Sequence, residues 1–267
     1  MLDVKNLSAS VDGKAILYGV SLNFEPGKNY CVLGKNGSGK SSLSSVLMGH
    51  PRYRVDGGSV TVDGKDLLVM NPEERSAAGL FLSFQNVPEV KGVRLGEYLR
   101  TVANTHVALK NSGTKALTPF VFRRFVAPFL KELDIAEAFL DRDLNAGFSG
   151  GEKRKVEMLQ LRLIQPRYII LDEIDSGLDL DAFRAIAAML AKMSGPEVSL
   201  IIITHYFTII DTVSIDGVYL MEEGKIVQMG GRELAQDIRQ NGFRKECLDC
   251  PLLQKELCPE GKTAVTK

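Results

Sequence analysis

An apolar run over residues 28–33 leads straight into Gly34-Lys35-Asn36-Gly37-Ser38-Gly39-Lys40-Ser41, and residues 40–48 have helical composition. A strand, a glycine-rich loop and a helix in that order aim successive backbone N–H groups, and the positive end of the helix, at one point where an anion can sit. The glycines let the backbone curl that closely. Lys40 can reach the β- and γ-phosphates of a nucleotide, and Ser41 can hold Mg²⁺. A flexible Gly/Ser loop has the same composition, but it does not require a strand before it and a helix after it. The expected phosphate-binding residues are Gly34, Lys35, Asn36, Gly37, Ser38, Gly39, Lys40, Ser41 and Ser42.

The rest of the chain fits an α/β architecture. Residues 168–171 and 198–204 are buried-strand runs, and residues 180–193 read as a helix. Apolar strands alternating with helices predict a parallel sheet covered on both faces. Residues 2–33 alternate apolar and polar and are broken by Asp12-Gly13 and Pro26-Gly27, which predicts strands and turns. Residues 60–62 with Asp63-Gly64, and residues 218–228 with Glu223-Gly224, read as hairpins. Residues 88–165 are mostly helical, with loops near 111–114 and 145–151. The chain is expected to hold one domain over 1–240, with a helical subdomain inserted at about 86–165 and a cysteine-containing tail over 241–267. A length of 267 residues suits that plan.

Composition narrows the function classes. Lys and Arg number 33, as do Asp and Glu, so the basic excess of a nucleic-acid binder or membrane-surface protein is missing. No apolar run is long enough to cross a bilayer, and the N-terminus begins with a strand pattern rather than a leader. A cytoplasmic protein is expected. Cys31 lies alone in an apolar strand, while Cys247, Cys250 and Cys258 cluster near the end. In a reducing compartment such a cluster reads as free thiols or a metal site. Cys247 and Cys250 share one side of a helical turn, and Cys250 and Cys258 precede proline. Three thiols leave a zinc site one ligand short, so a partner or second protomer would complete a Zn²⁺ site or an iron–sulfur cluster. Reduced surface thiols are the competing reading.

The run over residues 168–171 ends in Asp172 and Glu173. Acids at the end of a parallel strand sit where such sheets bind ligands. Asp172 would hold Mg²⁺ through water, and Glu173 would orient and polarise the attacking water; a pair of helix-capping acids is the alternative. Phe148-Ser149-Gly150-Gly151-Glu152 precedes a helical stretch. Ser149, Gly150 and Gly151 could form a second anion site, or Ser149 and Glu152 a capping box, and local physics does not choose.

With these motifs the chain resembles the ATP-binding-cassette ATPases. Phe148–Glu152 is similar to their signature motif, with Phe for the first Leu and Glu for the final Gln. Gln85 matches their Q-loop, Ser176-Gly177-Leu178-Asp179 their D-loop, and Thr204-His205 their switch histidine. The resemblance implies the ABC-ATPase fold: a RecA-like P-loop core, an antiparallel β subdomain and an inserted helical subdomain. It implies a head-to-tail homodimer in which ATP lies between the P-loop of one protomer and Ser149–Gly151 of the other. His205 would contact the γ-phosphate, Gln85 would join Ser41 and Asp172 at Mg²⁺, and Asp179 would cross the interface.

The finer resemblance is to the SufC family of the SUF iron–sulfur cluster assembly machinery. It rests on Asp172-Glu173-Ile174-Asp175-Ser176-Gly177-Leu178-Asp179, on Gly147-Phe148-Ser149-Gly150-Gly151-Glu152-Lys153, on residues 82–93 and on Thr204-His205-Tyr206. It implies SufB-like and SufD-like scaffold partners and no direct insertion into a membrane. The nucleotide-binding subunit of a membrane transporter is the alternative; a non-transport cassette protein acting on nucleic acid or ribosomes is disfavoured by the neutral charge and the single cassette. Near Ser10-Val11-Asp12 there is no aromatic residue to stack on adenine, and Tyr18 and Tyr30 are the possible substitutes. Phe122, Phe125 and Phe129 are expected to share a core-facing helix side, with partner docking as the alternative. The ATPase is expected to be slow alone, with Lys153 holding Glu173 away from the attacking water until a partner docks on the helical insert.

Overall fold

The uninterrupted apolar runs form the middle of a parallel sheet. The structure, a computed structural model, describes residues 1–85, 87–111, 113–174, 186, 188–191, 193, 195–204 and 207–242. Its strands are β1 (Leu2–Val11), β2 (Lys14–Phe24), β3 (Tyr30–Leu33), β4 (Tyr53–Val62), β5 (Lys65–Asp66), β6 (Leu80–Ser83), β7 (Val90–Arg94), β8 (Asp143–Leu144), β9 (Tyr168–Asp172), β10 (Ser199–Thr204), β11 (Gly217–Glu222) and β12 (Lys225–Gly230). Its helices are α1 (Lys40–Leu47), α2 (Pro72–Ala77), α3 (Leu95–Lys110), α4 (Pro119–Glu132), α5 (Gly150–Ile164), α6 (Thr208–Thr212) and α7 (Arg232–Asn241).

Among the described residues the large sheet has the order β12-β11-β3-β10-β9-β6. Its neighbours run parallel except for β12, which turns back from β11 at the edge. Every residue of β3, β6, β9 and β10 is buried, which is why these strands read as continuous apolar runs. Alternate residues feed two cores. Cys31, Leu33 and Leu171 face α3, α4 and α5; Val32, Ile170 and Ile203 face α1 and the antiparallel sheet β2-β1-β4-β5. The β1–β2 turn places Asp12 and Gly13 at positive φ, the geometry that suits a two-residue hairpin.

Residues between β6 and β9 carry α3, α4 and α5, as the helical reading expects, but they also hold a small β7–β8 ladder. All five β7 residues are exposed, so no alternation announces this strand. The α4 face also differs from expectation. Its buried stripe is Phe122, Val126 and Leu130, with Phe129 packed at the margin, while Phe125 is 45% exposed and Phe120 69% exposed. The i, i+4, i+8 stripe centres beyond Phe122 and leaves Phe125 beside it. Residues 180–185 of the expected helix lie outside the described residues; Ile186 and 188–191 are helical.

Candidate active site

The loop between β3 and α1 folds as a nest around a cavity of about 280 Å³ at the C-terminal edge of the sheet. Gly39 precedes α1 with φ +101°, a conformation that favours glycine. A Cβ on Gly34 would lie 2.3 Å from the carbonyl oxygen of Met221, so the β11 backbone closes the loop from outside. The β11–β12 turn clasps it as well, since Gly224 N–H donates to Ser38 O at 2.9 Å and Tyr18 N–H donates to Gly224 O at 2.9 Å.

Lys40 is 4% exposed, and its Nζ donates to the Gly34 and Lys35 carbonyls at 2.8 and 3.0 Å. Burial pushes the ammonium below its usual pKa, and the Glu173 and Asp172 carboxylates oppose that shift. Ser38 Oγ is buried with no hydrogen-bond partner among the described residues. A crowded cation, an unpaired hydroxyl and loop N–H groups at a helix start fit a polyphosphate.

Asp172 and Glu173 stand at the end of β9, across the cavity rim. Asp172 accepts from Ser41 Oγ at 3.1 Å and from Ser44 Oγ at 3.1 Å. Burial raises the Asp172 pKa, and the two hydroxyls pull it the other way. Ser41 and Asp172 together form a hard oxygen pair of the kind Mg²⁺ takes. Ser44 was not anticipated; its spacing of three from Ser41 on α1 was the available signal. Glu173 has φ +48°, which costs a non-glycine residue of order 1–3 kcal/mol. Its amide donates to Ile203 O at 2.9 Å, and its carboxylate accepts from Gln85 Nε2 at 2.6 Å.

The structure thus brings residues 34–42, Gln85, Asp172 and Glu173 together. Ser149, Gly150 and Gly151 stand elsewhere, at the start of α5, and do not line this cavity. Ser149 forms the capping box with Glu152, so that structural reading is realised on an exposed helix start. His205, Asp179, Cys247, Cys250 and Cys258 lie outside the described residues. Lys153 is not beside Glu173. It pairs with Glu89 at 2.8 Å on the outer side of α5, and Gln85 takes the place at Glu173 assigned to the lysine. Of the aromatic substitutes, Tyr30 is buried with its hydroxyl accepting from Glu25 N, while Tyr18 is 47% exposed with its hydroxyl donating to Ala15 O; neither lines the cavity, whose apolar wall is Ile16.

The Asp172 shift carries a stability consequence. A carboxyl whose pKa is raised on folding favours the folded state below its unfolded pKa and loses that contribution as pH rises through the folded value. Near neutral pH the buried carboxylate is therefore unfavourable in the metal-free protein, where Lys40 offsets only part of its desolvation. Asp172→Asn is expected to melt at or above the wild type in metal-free buffer at pH 7, while Mg-ATP stabilises it less. Thermal melts with and without Mg-ATP check this; a metal-free melt several degrees below wild type contradicts it.

A family profile described as "ABC transporter" matches residues 17–176. "Probable ATP-dependent transporter slr0075" of Synechocystis sp. is 42% identical, the match covering 91% of this chain and 94% of that protein. "Probable ATP-dependent transporter ycf16" of Cyanophora paradoxa is 43% identical, covering 91% and 93%. "Probable ATP-dependent transporter SufC" of Escherichia coli (strain K12) is 40% identical, covering 91% and 97%. Among solved structures, a nucleotide-free ATP-binding cassette from an ABC transporter superposes with TM-score 0.72 at 23% identity, covering 90% of this chain and 95% of that one. A dimeric cassette in a post-hydrolysis state bound to ADP and Pi gives TM-score 0.71 at 19% identity, covering 86% and 98%. At those identities the structures establish the fold.

Proposed function

Because this chain belongs to the ATP-binding-cassette ATPases, in their SufC-like group, we propose that it couples Mg-ATP hydrolysis to conformational change in a SufB/SufD-like scaffold during iron–sulfur cluster assembly in the cytoplasm. That it is an ATP-hydrolysing enzyme follows from the family. The scaffold role is carried by one observation, the 40–43% identity to ycf16 and SufC proteins over 91% of the chain.

In this reading Lys40 leaves the Gly34 and Lys35 carbonyls for the β- and γ-phosphates, and the amides of residues 34–42 bind the same oxygens. Ser41, Asp172 and the Gln85 amide oxygen hold Mg²⁺, which supplies charge neutralisation at the phosphates. Glu173 polarises the attacking water once Gln85 lets go of its carboxylate. The exposed start of α5, away from its own cavity, supports a head-to-tail dimer in which a second copy contributes Ser149–Gly151. His205 and Asp179 keep the roles that the family resemblance gives them. Slow turnover by the lone chain is supported by the Gln85–Glu173 contact rather than by a lysine latch.

A groove of about 420 Å³ between α2, β6, α3 and α5 offers the scaffold a seat next to Gln85. Phe84 and Leu109 line it and are 46% and 48% exposed, large apolar surface that a partner would cover. Affinity purification should return soluble scaffold proteins, and adding them should raise ATP turnover. Leu109→Asp should cut the stimulation about tenfold while leaving basal turnover intact, since a charge placed in a buried apolar contact costs more than 1 kcal/mol. The transporter reading is favoured by the words "ATP-dependent transporter" in the relatives' names. No described helix is long and apolar enough to cross a membrane, so that reading requires a separate permease, whose recovery from detergent extracts would replace the scaffold proposal.

A further inference from the structure

A buried ionic cluster joins α5 to the end of β6. Arg154 Nη1 donates to Glu157 Oε2 at 2.5 Å, to Ser83 Oγ at 2.9 Å and to the Phe84 carbonyl at 2.8 Å. Its Nη2 donates to the Gln85 carbonyl at 3.3 Å, and Ser83 Oγ donates to Glu157 Oε2 at 3.1 Å. Arg154 is 4% exposed, Glu157 3% and Ser83 0%. The neighbouring lysines on the same helix behave differently, Lys153 and Lys155 making surface pairs with Glu89 and Asp134.

Stability alone does not explain the cluster. Desolvating two charges consumes most of what their attraction returns, and well-packed apolar replacements are often as stable or more so. Burial accordingly raises the Glu157 pKa, opposed by Arg154 and Ser83. What a guanidinium adds over an apolar side chain is a planar fork with fixed donor directions. Here the fork takes hold of two consecutive carbonyls, Phe84 and Gln85, from the second turn of α5. Gln85 is in turn the residue whose Nε2 holds Glu173. A continuous line of contacts therefore runs from the exposed start of α5 at Ser149, through Arg154, to the main chain of Gln85 and the carboxylate of Glu173.

We propose that Arg154 is a positioning residue that makes Glu173 sensitive to the placement of α5. While α5 rests as seen here, the fork fixes the Gln85 backbone so that its side chain retains Glu173. When α5 is displaced, by a second protomer at its exposed start or by a partner in the adjacent groove, Gln85 is drawn with it and Glu173 is released. The inference rests on Glu173 being the group that activates water. It assigns no chemistry to Arg154, which acts through Gln85.

The test is a double-mutant cycle on the full-length chain, with steady-state ATPase kinetics as readout. Arg154→Lys keeps the charge opposite Glu157 and loses the fork. It is expected to raise basal kcat about threefold or more with ATP KM within about twofold, and the rise should vanish in the Gln85→Ala background. A folded Arg154→Lys protein with unchanged or lowered kcat, or the same rise without Gln85, overturns the proposal. If Arg154→Lys does not fold, the apolar double variant Arg154→Met/Glu157→Met replaces it under the same criteria, because it leaves no unpaired buried charge. Glu173→Gln in the same assay separates the two ideas: near wild-type turnover there refutes the role of Glu173, whereas the cycle refutes only the coupling through Arg154.

Discussion

Glu173→Gln is expected to bind Mg-ATP as tightly as the wild type and to lose about two to four orders of magnitude in turnover, the range for removing a positioned general base. The argument starts from isostery. The amide keeps the volume of the carboxylate at a 7%-exposed position, and its oxygen can still accept from Gln85 Nε2. It cannot take a proton from water. The β9 terminus should keep its geometry, including the Ile203 hydrogen bond. Single-turnover assays with radiolabelled ATP measure the chemical step apart from product release. Gel filtration of the variant with ATP reports whether a nucleotide-bridged dimer accumulates once hydrolysis no longer dissolves it. Turnover near the wild-type rate assigns the activation of water to another group.

Lys40→Met acts at the opposite step. Losing one partner of a buried, hydrogen-bonded charge pair typically costs about 2–5 kcal/mol, which lowers ATP affinity by roughly 30- to several-thousand-fold. The unliganded protein should respond differently. Among the described residues the desolvated Lys40 ammonium donates to the carbonyls of its own loop, and its pKa is pushed down by burial against the pull of Glu173 and Asp172. A methionine fills the same channel without a buried charge, so the melting temperature without nucleotide should change little while the rise induced by Mg-ATP disappears. Calorimetric titration and thermal melts measure the two halves. Tight ATP binding by the variant would place the phosphates elsewhere.

The pattern of what was legible has a physical order. The phosphate loop was legible because its chemistry is local: glycines, a lysine and a serine at fixed spacing between a strand and a helix. The central strands were legible because burial on both faces leaves Tyr, Cys, Val and Leu in β3 and a Leu-Ile-Ile-Ile run in β10. Asp172 and Glu173 followed from standing where such a strand stops. The misreadings concern partners set by packing between distant segments. The sequence places Lys153 near Glu173 because both belong to nucleotide-side elements, yet its position on α5 turns it toward Glu89. Arg154 and Glu157 are visible as an i, i+3 pair, but their burial is fixed by Ser83 at the end of β6 and by Phe84 just after it. The β7 strand carries no buried residue and so leaves no periodic trace.

The strand order has a consequence for how the chain comes off the ribosome. The β3 strand, which delivers the phosphate loop, pairs only with β10 and β11 in the described sheet: Tyr30 meets Ile201 on one side and Gly217 on the other. Both neighbours are translated long after it. The β1–β2 hairpin and β4 can pair while the nascent chain is short, since their contacts are comparatively local. The fully apolar β3 must wait beside them with both edges open, a state prone to misassociation. The residues made first for nucleotide binding are thus among the last to be assembled, and a product that stops before β11 would present a finished motif on an unfinished strand.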